Sequence, residues 1–167
     1  MELATTDLFR AKWSDKIHDE WICKLLENRP DLNREQLEET RNLMDAHVID
    51  CLVTDYQDLI PSLDLPDPND RHVLAAAIRS ETDVIVTFNL KDFPHDTLAK
   101  HGIDVQHPDE FIKRLLDLAP DTVCESAKTH RQRLKNPPKT VDEYLASLEH
   151  QGLAQTVRGL RSFARLL

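Results

Sequence analysis

Five polar side chains, Glu20, Asp67, Asp70, Asn89 and Asp92, could do chemistry together if the fold brings them to one place. Hard divalent cations want oxygen ligands, and Mg²⁺ commonly takes one or two carboxylates together with waters and substrate phosphates. Such a cation can activate water and stabilise the charge that builds on a phosphate during phosphodiester hydrolysis. Carboxylates packed together repel one another, and a bound cation keeps them ionised. Taken singly, each residue also has an ordinary reading. Asp67 and Asp70 can cap a helix and complement its dipole, worth up to about 1 kcal/mol. Asn89 and Asp92 can satisfy backbone groups in a turn, and a lone helical Glu20 can be solvated surface.

The elements around them decide between the two readings. Ser14 reads as an N-cap with Asp15 in the first turn of a helix that runs to about Asn28 and presents Ile17, Trp21 and Leu25 on one face. Leu3, Leu8 and Phe9 read as the end of an amphipathic helix that runs into an extended piece, FRAKW. Asn33 caps a second helix, and HVIDCLVTDY reads as a strand around Asp50 to Thr54. The Pro- and Asp-rich loop LIPSLDLPDPND launches a helix, RHVLAAAIRSE. DVIVTFN is the clearest strand, a β-branched run of the kind buried in parallel sheets. A short helix over His95 to Lys100 ends at Gly102, IDVQHP forms a brief strand, and a helix covers Asp109 to Leu118. Strands alternating with helices indicate an α/β layered sheet.

From Pro120 the pattern is helical only, over 120–134, about 140–151 and 153–166. Thr140 and Glu143 stand at capping-box spacing. The expected organisation is therefore an α/β domain over 1–118 and a helical C-terminal extension over 119–167. In a parallel α/β sheet, ligands bind where strand C-termini meet helix N-termini. Asp67 and Asp70 precede a helix, and Asn89 and Asp92 follow strand 84–88, so the four should converge on one edge. Glu20 joins them if FRAKW belongs to the same sheet.

Composition narrows the function classes. The net charge is −9, with 11 Lys+Arg against 24 Asp+Glu in residues 1–110 and 10 against 6 in residues 111–167. The acidic body alone would repel nucleic acid, a bound divalent cation would reverse that locally, and the basic tail, including HRQRLK, could contact phosphates. A solvated helical tail is the alternative. The three Cys form no CxxC pair and the eight His show no HxxxH or HxH spacing, so neither a zinc site nor a thioredoxin-like motif is indicated. Cys23 and Cys51 read as small core residues. His72 stands out because it lies beside Asp70. An odd Cys count without a leader-like start suits a reducing cytoplasm, and no apolar run reaches the roughly 20 residues of a membrane span.

The run LPDPNDRHVLAAAIRSETDVIVTFNLKDFP resembles the C-terminal half of PIN domains, as in VapC-type toxins of toxin–antitoxin pairs. Asp70 matches the family's helix-opening acid, Asn89 stands where a strand-end Asp is usual, and Asp92 matches the acid of the Asp-Phe turn. SDKIHDEW resembles the helix that carries a site Glu, which makes Glu20 the match. The resemblance covers roughly residues 5–115. It implies a three-layer α/β/α fold with a short parallel sheet, and Mg²⁺- or Mn²⁺-dependent hydrolysis of RNA. On it, Glu20, Asp70 and Asp92 hold the metal, with Asp67 as a further candidate and Asn89 orienting water or phosphate. An antitoxin is the implied protein partner. Two departures stand out: the amide of Asn89, and no opening strand bearing a first Asp. A truncated product, a homodimer or other strand-completing partner, and retention as a non-catalytic binding module all remain open.

Overall fold

The structure is a computed structural model that describes residues 2–167. The chain divides into two compact units. One comprises Arg10–Ile85 and Asn89–Val105, and the other comprises the N-terminal stretch through Phe9, Val86–Phe88 and Gln106–Leu167.

The first of these units carries all five candidate residues. Its helix α1 spans Asp15–Asn28, and Ser14 caps it by accepting from the backbone N–H of Ile17. Helix α2, Arg34–His47, opens with a reciprocal capping box between Asn33 and Gln36. Such caps satisfy helix-end donors from side chains close in sequence, which is why they are readable in advance. Helix α3, Arg71–Arg79, follows a 3₁₀ turn over Pro68–Asp70 and buries His72, Leu74, Ala75, Ala76 and Ala77. Strand β1 is Val84–Val86, helix α4 is His95–Leu98, and strand β2 is Asp104–Gln106. Gly102 ends the turn after α4 in the left-handed conformation at φ 72°, which glycine adopts without a Cβ penalty.

Strands β1 and β2 pair in parallel: Asp104 N–H donates to Asp83 O at 2.9 Å and Thr87 N–H to Gln106 O at 3.0 Å. The alanine face of α3 packs with Leu74 into a cluster that holds Val53, Tyr56, Leu63, Leu65, Ile85, Phe93, Leu98 and Ile103. Small residues let the helix approach closely, while Leu74, fully buried, contributes about 1.5–3 kcal/mol by its removal from water.

The other unit is helical: α5 Pro108–Leu118, α6 Pro120–Arg133, α7 Val141–His150 and α8 Ala154–Arg161. Its core gathers Leu115, Leu116, Val123, Cys124, Tyr144, Leu145, Val157 and Leu160. The Thr140–Glu143 capping box forms at the start of α7. Buried Asp109 accepts from the backbone N–H groups of Gln155 and Thr156 at 2.9 and 2.8 Å, so a carboxylate on α5 caps α8. The α/β class with a short parallel sheet and a helical C-terminal part is what the structure shows. No helix among the described residues is long and apolar enough to cross a membrane.

Several local expectations are corrected. The strand around Asp50 to Thr54 reduces to a single parallel bridge between Trp13 and Leu52, and Asp50 takes a left-handed φ of 55° that breaks an extended run. FRAKW shares only that bridge. The N-terminal residues form a 3₁₀ turn at Glu2–Thr5 rather than the end of an amphipathic helix. The strand predicted over 84–88 ends at Val86, and the last helix ends at Arg161. In α1 the buried residues are His18 and Ile22, whereas Leu25 is exposed. Cys23 is also exposed and is no core residue. In the basic run HRQRLK, Arg131 donates to the carbonyls of Lys139 and Leu167 and is tied into packing.

Candidate functional site

Asp70 closes the 3₁₀ turn before α3. The turn is set by Pro68 at its first position and by Asp67, whose side chain accepts from Asn69 N–H at 2.8 Å. Asp67 thus does the capping. The Asp70 carboxylate makes no capping bond of its own at the start of α3. Asn89 precedes and Asp92 closes the 3₁₀ turn Leu90–Asp92 after β1, and the Asn89 amide donates to Asp92 Oδ2. Glu20 comes from the middle of α1, and its Oε1 lies 2.7 Å from His72 Nε2 on α3. That bond ties two helices together from residues 52 apart in sequence.

Electrostatics brings the acids together around Asp70. Burial pushes its carboxyl above the usual range, and the charges of Asp67, Asp92 and Glu20 push it further, while Lys16 opposes them. Four carboxylates therefore share one electrostatic neighbourhood. Asn89 contributes no charge to it and instead hydrogen-bonds one of the four.

His72 is 1% exposed, and burial holds its imidazole below the usual range despite Glu20 at its edge. The hydrogen bond to a carboxylate requires a proton on Nε2. Among the described residues, Nδ1 is buried without a hydrogen-bond partner, as is Nε of the neighbouring Arg71.

Lys16 was not singled out by the sequence reading. It stands four residues before Glu20 on α1, the spacing that places two helical side chains on one face, and that spacing could have flagged it.

The donor set fits a hard divalent cation in chemistry and charge: oxygen ligands, mutually repelling, with one carboxyl already driven toward protonation. Among the described residues, no three His, Cys, Asp or Glu side chains gather around one point as a finished cage. An open set that supplies one or two carboxylates directly and others through water is the form Mg²⁺ sites commonly take.

Comparison with known proteins identifies the family of this chain. The profile of the PIN domain family matches residues 1–91, and that of the VapC50 C-terminal domain matches residues 108–162. The chain is 40% identical over 96 residues to a Mycobacterium tuberculosis protein named "Putative ribonuclease VapC50", a match covering 58% of this chain and 56% of that relative. The chain thus spans little more than half the length of the curated relative it matches. No solved structure matches it.

Proposed function

Because the chain belongs to the PIN domain family, we propose that it is a divalent-cation-dependent endoribonuclease of the VapC toxin type, hydrolysing RNA phosphodiester bonds. The observation that carries this reading is the match of the PIN domain family over residues 1–91, which holds the acids Glu20, Asp67 and Asp70, and the charges of Asp67, Asp92 and Glu20 acting on Asp70 support it. A cluster that costs stability when empty of cation is what a cation site requires. The similarity to a protein named as a ribonuclease supports the reaction class.

Asp70, Asp92 and Glu20 would hold Mg²⁺ or Mn²⁺, with Asp67 contributing charge from its capping position. The cation, when bound, supplies an activated water and neutralises charge on the scissile phosphate. Asn89 keeps one oxygen of Asp92 engaged and so orients the other. Lys16 offers a positive charge toward the phosphate backbone of an RNA strand. An antitoxin protein is the regulatory partner this reading implies.

A second reading, a non-catalytic binding module, is favoured by Asn89, which stands where an acid would strengthen the cluster and occupies an oxygen of Asp92. RNA cleavage in Mn²⁺ by wild type and Asp70→Ala separates the two. The nuclease reading expects cleavage that EDTA abolishes and that Asp70→Ala lowers by on the order of a hundredfold. Equal cleavage by both chains, or none by wild type, overturns it.

A further inference from the structure

A glutamate that is 47% exposed at its side chain would ordinarily sample many rotamers, and ordering it has an entropic cost. Glu20 is instead held at 2.7 Å by a ring that is 1% exposed. The usual arrangement is inverted here, with the donor in the core and the acceptor at the surface. His72 is one of five buried residues of α3, the others being Leu74, Ala75, Ala76 and Ala77, and an apolar residue in its place would leave no nitrogen unpaired.

The other fully buried imidazole of this unit shows what complete satisfaction looks like. His18 Nδ1 accepts from Trp21 Nε1–H at 2.9 Å, and its Nε2 meets Asp45 at 3.0 Å. His72 has only the second kind of contact, because Nδ1 has no partner among the described residues. Packing therefore does not account for a histidine at position 72. The task its Nε2 performs does.

We propose that His72 is a positioning residue for the acidic site: with its proton on Nε2, it fixes the Glu20 carboxylate beside Asp70 and leaves Oε2 of Glu20 for the cation or its water. The assignment rests on the divalent-cation reading above. It adds a residue that never touches the ion and acts through Glu20 alone, as partners behind metal-binding groups do elsewhere.

The test is a double-mutant cycle on Mn²⁺ affinity, measured by calorimetry with the full chain. His72→Leu should weaken binding by about tenfold, within the range for such partners. His72→Gln, which restores an N–H donor, should recover most of that loss. In an Glu20→Ala background, His72→Leu should cost nothing further. An equal loss in both backgrounds, or no loss in either, overturns the assignment. The imidazole ¹⁵N spectrum of the wild-type chain needs no variant: protonated Nε2 with bare Nδ1 supports it, and the reverse tautomer overturns it. Asp70→Asn separates the two levels. Mn²⁺ binding that ignores Asp70 removes the underlying reading, whereas Asp70-dependent binding that His72→Leu leaves unchanged removes the role of His72 alone.

Discussion

Asp45 and Asp70 lie in the same unit, yet their surroundings are opposite. Burial alone would raise the Asp45 carboxyl, but hydrogen bonds from Trp13 at 2.7 Å and His18 at 3.0 Å, with the nearby Arg41 charge, outweigh it and hold it below the usual range. Asp70 is raised by burial and by three other carboxylates. Around Asp45 the donors are complete: Trp13 meets the carboxylate, Trp21 meets His18, and His18 meets the carboxylate. Around Asp70 charges repel and a buried ring nitrogen is unpaired. A network satisfied throughout rigidifies a fold, whereas a strained one needs a purpose. On the proposed reading, the contrast separates a carboxylate that builds the structure from those that would serve a cation.

The largest expected effect comes from Asp70→Ala. Loss of a direct carboxylate should lower Mn²⁺-dependent RNA cleavage by on the order of a hundredfold, at the upper end of what outer partners alone produce. Single-turnover cleavage of a labelled RNA measures it, and a loss under threefold would place Asp70 with Asp45 as a structural acid.

Asp45→Ala should do the reverse. It strands the buried donors of Trp13 and His18, which costs roughly 2–3 kcal/mol of stability. Urea unfolding should register that loss, while cleavage per folded molecule stays near wild type. A stable Asp45→Ala chain with damaged cleavage would erase the distinction.

The same contrast predicts opposite pH behaviour. Asp45 has its carboxyl held low in the folded state, so its contribution is present above the unfolded carboxylate pKa and is lost as pH falls through the folded value. Asp70 has its carboxyl raised, so folding is favoured below the unfolded value and weakened as pH rises through the folded one. In EDTA, Asp70→Asn should therefore melt at or above wild type at pH 7, and the difference should vanish in acid. Asp45→Asn should melt lower at pH 7 and converge with wild type in acid. Thermal scans from pH 3 to 8 would show both limbs.

The smallest effect concerns Asn89. Asn89→Asp adds a charge beside Asp92, so Mn²⁺ affinity should rise by about threefold and the melting temperature in EDTA should fall slightly. Unchanged affinity would detach position 89 from the site.

These differences were unevenly legible in the residues. The caps at Ser14, Asn33 and Thr140 are local and were readable because cap and recipient lie within three residues of each other. Helix α3 and strand β1 were readable from apolar patterning, and Asp70 from its place at the junction. The strand near Leu52 was not, because pairing depends on a partner strand and Asp50 turns the backbone left-handed. The buried face of α1 was misjudged because His18 counts as polar until Trp21 and Asp45 satisfy it. Lys16 and the Glu20–His72 bond escaped for a similar reason: each takes its meaning from a residue on another element.

Anomalous diffraction from crystals soaked in Mn²⁺ tests the central claim most directly. The account predicts one strong peak bonded to the Asp70 carboxylate, with Asp92 and Glu20 around it directly or through water, and no peak at Asp45. A peak elsewhere, or full occupancy in an Asp70→Asn crystal, would contradict it.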